Sequence, residues 1–207
     1  MTGPIPDRNR PLDPGRTAIL VIDVQKGIYN SAAASDRPYF HRTARDIVIP
    51  NIRRLVDAGR KSGCEVIYTV IQSLTRDGRD RSLDYKQTGF HFGPGSREAE
   101  VIDELAPADD EIVLPKTSSS LFNSTVFEYV LRNIGLDTVV VTGFLTDQCV
   151  DHTVRDGADR GFAMVCPVDG CTTDSAERHD FALRSFRGYC RQATTDELVA
   201  ELAAASG

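Results

Sequence analysis

"VVVTGFLTDQCVDHTVRDG", residues 139–157, runs from a string of β-branched residues through a glycine into a polar stretch holding a single cysteine. Consecutive valines favour a pleated backbone, and an apolar run without polar alternation is the pattern of a strand covered on both faces. A helix is expected after Thr146, so the stretch reads as strand, tight turn, helix. Similar runs lie on either side: "TAILVID" at 17–23, "CEVIYTVIQ" at 64–72, "EIVLP" at 111–115 and "FAMVCPV" at 162–168, with a sixth strand expected near "GYCRQA".

Segments of helical period separate these runs. Ile52, Leu55, Val56 and Gly59 form one face; Ala99, Ile102, Asp103 and Leu105 follow Ser96, which is placed to open a helix; Val126, Phe127, Val130 and Leu131 stop before Gly135. Further helices are expected after Ser175 and over "TDELVAELAAA" from Thr195. Alternating strand and helix predict an α/β fold, a six-stranded parallel sheet with helices on both faces. A length of 207 residues suits one domain built on one sizeable core. The connection 73–96, "SLTRDGRDRSLDYKQTGFHFGPGS", is longer than usual and carries four glycines and a proline, as functional loops often do.

Composition narrows the function. Apolar residues at 41% and charged residues at 26% fit a soluble globular chain, and no apolar run approaches a membrane span. A formal charge of -6, with basic residues scattered among acidic ones, argues against nucleic acid as a partner, and no membrane contact is expected. The opening "MTGPIPDRNRPLDPGR" has four prolines in sixteen residues and lacks the apolar centre of a secretory signal. It reads as an extended arm suited to lie on a neighbouring subunit. Five cysteines, at 64, 149, 166, 171 and 190, make an odd number without a CxxC pair, which predicts reduced thiols and a cytoplasmic protein. Cys64 and Cys166 sit in strand-like runs, where packing is the ordinary role of a free cysteine.

In an open parallel sheet, ligands bind outside the carboxyl ends of the strands. Three reactive side chains fall there: Asp23 closes "AILVID", Lys116 follows "IVLP", and Cys149 lies six residues past Gly143. Each alone has an ordinary reading: a helix-capping aspartate, a solvated lysine, a buried filler thiol. Together they suit acyl transfer. A carboxylate at the end of an apolar strand needs a partner, and Lys116 can supply it. A cysteine near a helix start beside an ammonium is expected to hold thiolate at neutral pH. Asp23 would shuttle the proton, and backbone N–H groups of "GFLTDQC" would hold the oxyanion.

The pieces "AILVIDVQKGI", "VLPKTSSSLFNST", "VVVTGFLTDQCVDHTVRDGADRGF" and "VDGCTT" resemble the isochorismatase-like cysteine hydrolase superfamily, which includes nicotinamidases, N-carbamoylsarcosine amidohydrolases and ureidoacrylate amidohydrolases. The likeness runs from about residue 17 to 190. It implies a single-domain, Rossmann-like three-layer sandwich over 17–207 behind the arm at 1–16, and an Asp–Lys–Cys triad at Asp23, Lys116 and Cys149. It also implies a non-proline cis peptide joining Phe144 to Leu145, with an oxyanion hole from the N–H groups of Leu145 and Cys149. Gln25 resembles the family's glutamine, which contacts the substrate or orders the pocket. Members often assemble as dimers or tetramers, so a homo-oligomer is expected.

Departures from the family narrow the chemistry. The nicotinamidase branch builds a metal site around an Asp-x-His motif, whereas the four histidines here, at 41, 91, 152 and 179, have no aspartate two positions earlier. No catalytic metal and no other cofactor is expected. His152, one turn beyond Cys149, points along the helix rather than across a cleft, while His41 and His179 sit in charged stretches suited to solvation. Tyr29, Phe90, Phe122 and Phe144 are expected to line a pocket for a small flat amide, with His91 in the long connection as a further contact. Arg79 and Arg81 could greet a substrate carboxylate or simply be solvated. The favoured activity is metal-independent hydrolysis of a C–N bond in a small amide, carbamoyl or ureido compound through a cysteine thioester. Two alternatives stand beside it: isochorismatase-type vinyl-ether hydrolysis with Asp23 as acid, and a non-catalytic binding or scaffold subunit.

Overall fold

The structure, a computed structural model, describes residues 7–30 and 34–205. Along the first half of the chain come β1 (Thr17–Ile22), α1 (Pro38–Thr43), α2 (Ile49–Ser62), β2 (Glu65–Ile71), α3 (Leu83–Thr88) and β3 (Ile112–Lys116). The second half holds α4 (Leu121–Ser124), α5 (Phe127–Ile134), β4 (Thr138–Phe144), α6 (Asp151–Asp159), β5 (Ala163–Pro167), β6 (Cys171–Thr172), α7 (Ala176–Phe186), β7 (Arg191–Ala193) and α8 (Thr195–Ala205).

The strands lie in the order β3-β2-β1-β4-β5-β7, and the short β6 pairs with the end of β4. All of these pairings are parallel. Every residue of β1 and β4 is buried, because these two strands form the middle of the sheet and helices cover both sides. Successive side chains leave a strand on opposite faces. Ile19 and Val21 join Ile52, Leu55 and Val56 of α2 and Leu198 and Leu202 of α8 on one side. Ala18, Leu20 and Ile22 join Phe127 and Leu131 of α5, Val154 of α6 and Phe186 of α7 on the other. Each fully buried aliphatic side chain contributes about 1.5–3 kcal/mol relative to exposure, so the three-layer sandwich follows from the apolar runs themselves. Pro115, which cannot donate a ladder hydrogen bond, sits on the edge strand β3, where that loss is tolerated.

The order of strands places the site. The chain winds outward from β1 through β2 to β3, then returns to lay β4 against the other side of β1. The carboxyl ends of β1 and β4 therefore flank the point where the winding reverses, where a crevice forms in such sheets.

One expectation changes. The helix expected after Ser96 is replaced by two single 3-10 turns, Arg97–Ala99 and Asp103–Leu105. Its carbonyls are taken by another segment: Gly27 N–H donates to Glu98 O and Lys26 N–H to Glu100 O, and Gln25 bridges to Val101. The arm packs on its own chain over its described part. Leu12 is buried in the core beneath α2 and α8, and Arg10 and Arg16 both bind Asp137. Residues 1–6 of the arm lie outside the described residues. All five cysteines are free thiols.

Candidate active site

Asp23 leaves β1 with φ of 55°, a left-handed conformation that aspartate adopts more readily than most side chains. Its N–H donates to Thr69 O of β2 at 3.0 Å, and Thr69 Oγ1 donates to its Oδ1 at 3.1 Å. The carboxylate is thereby fixed over the end of the sheet. Lys116, the last residue of β3, reaches past β2 to place Nζ 2.9 Å from Asp23 Oδ2, both side chains being essentially inaccessible at 0% and 2%. The contact is ionic rather than an aligned hydrogen bond, so Oδ2 is left without a hydrogen-bond donor.

The third segment is β4 and the turn behind it. Gly143 takes φ of 108°, the peptide between Phe144 and Leu145 is cis, and Thr146–Val150 form a wide π-type turn that runs into α6. Cys149 on that turn brings Sγ to 3.4 Å from Lys116 Nζ. The ammonium also donates to Ser118 O at 3.0 Å and to Tyr85 Oη at 2.6 Å. Tyr85 Oη in turn lies 3.6 Å from Sγ. Asp23, Lys116 and Cys149, from strands far apart in sequence, thus meet around one buried ammonium, with a tyrosine as fourth member.

These groups open on a cavity of about 20 Å³ lined by Asp23, Ile28, Arg37, Ile71, Phe90, Phe144, Leu145, Gln148 and Cys149. That is room for little more than one water. Phe90 and Phe144 lie on the cavity as expected; the other anticipated contacts lie elsewhere. Tyr29 stacks on His41, with ring centroids 4.7 Å apart, away from the cavity. Phe122 packs against Phe127 and Phe162 on the opposite side of the sheet. His91 is exposed beside Gly78. Gln25 is buried and commits its amide to backbone, donating to Ile71 O at 3.1 Å and Glu98 O at 2.9 Å and accepting from Ile71 N at 2.6 Å. It ties the wall together instead of facing the cavity.

Arg81 spends its guanidinium on the carbonyls of Gly78, Tyr85 and Phe90, and Arg79 pairs with Asp77 at the surface. Among the described residues no group of three or more histidine, cysteine, aspartate or glutamate side chains is arranged to hold a metal ion.

The family model described as "Isochorismatase domain" matches residues 17–197. The chain belongs to the isochorismatase family. It is 33% identical over 157 residues to an N-carbamoylsarcosine amidase from Arthrobacter sp, a match covering 73% of this chain and 58% of the relative. It is 31% identical over 160 residues to the ureidoacrylate amidohydrolase RutB of Serratia proteamaculans (strain 568), covering 70% of this chain and 64% of the relative. The matches thus span less than two thirds of these curated relatives. A cysteine hydrolase from Pseudomonas syringae pv. phaseolicola 1448A has a similar structure, with a TM-score of 0.85 and 26% identity, covering 99% of this chain and 100% of that one.

Electrostatics in this isochorismatase-family site depart from the expectation of a ready thiolate. Burial pushes the Cys149 thiol up to about 11; Lys116 works against that rise and Asp23 adds to it. Lys116 behaves in the opposite sense. Burial pulls it down, but Asp23, Cys149 and Tyr85 together hold it well above the usual lysine range. Burial likewise drives the Tyr85 phenol up. The resting site therefore holds a neutral thiol beside an ion pair. The ammonium does not ionise the sulfur because it is shared with a carboxylate and because the thiol is buried.

Three contributors escaped sequence reading. Tyr85 rides on α3, whose start is capped by Ser82 Oγ accepting from Tyr85 N at 3.2 Å. The Ser82 cap is readable in "SLDYKQT", but it marks a short helix without saying which way the tyrosine faces. Arg37 gave no signal beyond its charge. His179, expected in solvent, is half-buried: its Nδ1 lies 2.8 Å from Thr146 Oγ1 and its Nε2 3.1 Å from Val168 O. A carbonyl can only accept, so Nε2 carries the proton and Nδ1 accepts from Thr146. Burial lowers the histidine pKa, which suits this neutral role as a pin on the cysteine turn.

Proposed function

We propose that this chain is an amidohydrolase that cleaves the C–N bond of a small amide, carbamoyl or ureido compound through a thioester on Cys149, with no step routed through a metal. One observation carries the reading: Sγ of Cys149 lies 3.4 Å from an ammonium that is itself 2.9 Å from the Asp23 carboxylate, all out of solvent. The amidase names of the two sequence relatives support it.

Because the thiol is neutral at rest, the proton leaves as the sulfur attacks. Asp23 Oδ2, which lacks a hydrogen-bond donor, accepts that proton while Sγ bonds to the carbonyl carbon. In this reading backbone N–H groups of Leu145 and Cys149 receive the developing oxyanion, and Lys116 offsets the negative charge as it passes from Asp23 through sulfur to that oxygen. Asp23 then passes the proton to the departing nitrogen as the C–N bond breaks, leaving a thioester and free ammonia or amine. Water, deprotonated by Asp23, attacks the thioester carbon; the C–S bond breaks, the proton returns to sulfur, and the acid departs. Tyr85 donates its hydroxyl proton toward the sulfur and accepts from Lys116, which keeps the ammonium from swinging away.

The test is ammonia release over a panel of carboxamides, carbamoyl amino acids and ureido acids, with Cys149→Ala as blank. Release by the wild type alone supports the reading. Turnover that survives Cys149→Ser with a vinyl-ether substrate, and no ammonia from any amide, sinks it in favour of proton-driven ether cleavage by Asp23.

A further inference from the structure

Arg37 stands between β1 and α1, and among the described residues it is the one arginine on the cavity lining. Its Nε donates to Asp174 Oδ1 at 2.5 Å, and its guanidinium carbon lies over Phe40, 4.1 Å from the ring centroid. The head group is thus clamped at one edge and one face. Nη2, by contrast, is buried without a hydrogen-bond partner among the described residues. A buried guanidinium N–H lacking an acceptor is rare in native proteins, because its lost hydration goes uncompensated.

The surroundings do not supply what is missing. Ile28, Ile71, Phe90, Phe144 and Leu145 are apolar, the Asp23 carboxylate is already engaged with Lys116, and Gln148, though on the lining, makes no hydrogen bond to Nη2. Asp174 neutralises Arg37 only in part, since its other oxygen is held by Arg178 at 2.9 Å. Arg178 is further occupied by Asp147 at 2.5 Å. The cavity therefore offers one clamped, partly uncompensated positive donor, its side chain 26% exposed, in largely apolar walls on the same small space as the nucleophile.

We infer that Arg37 is the specificity residue of this site: its free Nη2 receives the carboxylate of the substrate, so the preferred substrates are carbamoyl or ureido acids and not neutral carboxamides. The inference rests on the amidohydrolase reading of the site. A carboxylate is the acceptor that best matches a charged, planar donor in a low-dielectric pocket. The clamp by Asp174 and Phe40 removes the rotamer freedom that arginine would otherwise lose on binding. Substrate entry then does two things at once, satisfying Nη2 and setting the distance from carboxylate to scissile carbonyl.

The experiment compares acids with their neutral twins: N-carbamoylglycine and 3-ureidopropanoate against the corresponding methylamides, which keep the carbamoyl group and lose the charge. For the wild type, kcat/KM is expected to favour an acid over its methylamide by on the order of 100-fold. Arg37→Gln should erase that preference by lowering kcat/KM far more for the acid than for the methylamide, and Arg37→Lys should restore part of it. Equal preference in the wild type and Arg37→Gln overturns the inference, as does a wild type that prefers the methylamides. Calorimetric titration of the same ligands into Cys149→Ala and into Cys149→Ala/Arg37→Gln separates binding from chemistry. Acid binding that depends on Arg37 without any turnover in the wild type sinks the hydrolase reading and keeps the carboxylate site. Acid that binds both variants alike, or neither, sinks the carboxylate site.

Discussion

Gly143 of β4 lies directly against the backbone of Ile22 of β1: a Cβ at position 143 would stand 2.1 Å from the Ile22 carbonyl oxygen and 2.7 Å from its nitrogen. The glycine also holds φ of 108°, which side chains resist. This contact seats the end of the Cys149 strand beside the end of the Asp23 strand. Gly143→Ala is expected to force the two strands apart and to cost about 3 kcal/mol or more, combining strain and clash. A fall in the urea midpoint together with lost turnover is the expected result; an unchanged midpoint would show that the backbones yield freely.

The pH response of Cys149 follows from its burial. With the thiol raised to about 11, its thiolate fraction at pH 7 is small. Alkylation by iodoacetamide at pH 7 should run on the order of 100-fold slower than for an exposed thiol and should climb tenfold per pH unit in the alkaline range. The folded protein holds this proton more tightly than the unfolded chain. The thiol's contribution to stability is therefore complete below about pH 8.5 and is lost as pH rises through about 11. Labelling at pH 7 as fast as for a free cysteine would mean that the ammonium, not burial, governs the sulfur.

Tyr85 contributes through its hydroxyl alone. Its ring packs 5.4 Å from Phe90, centroid to centroid, a contact phenylalanine would keep. Tyr85→Phe removes the acceptor at 2.6 Å from Lys116 Nζ and the donor to Sγ. The loss of hydrogen bonds to charged partners is worth about 1.5–3 kcal/mol, so kcat should drop roughly 10- to 100-fold with the fold intact and KM little changed. A variant with wild-type kcat would reduce the tyrosine to a packing residue.

The sheet was legible because its strands are continuous β-branched runs, and those runs are what two-sided burial demands. The meeting of Asp23, Lys116 and Cys149 was legible for a related reason: all three follow strand ends, and parallel strands all deliver their ends to one rim. Side-chain direction was not legible. Phe122 and Phe144 both fall near strand ends, yet the first packs into the core on the far side of the sheet and the second lines the cavity. The expected helix after Ser96 failed because partners for its backbone came from residues 24–27, distant in sequence. Tyr85 and Arg37 reach the site from connections, where no periodicity reports orientation.

The Asp23–Lys116 pair separates stability from chemistry. Both side chains are fully buried, and losing one partner strands a charge in the core. Lys116→Met and Asp23→Leu should each destabilise the fold by about 3–5 kcal/mol. Removing both together leaves no charge behind, so Asp23→Leu/Lys116→Met should recover much of that loss, an interaction visible as non-additivity in urea unfolding. All three variants should lack turnover. Such a result would mean that the pair is dispensable for folding as a pair and is held in the core for the proton it moves. A double variant as unstable as the sum of the two singles would instead assign the pair a structural role, as ties between β1 and β3 across β2, and would weaken the case for Asp23 as the base.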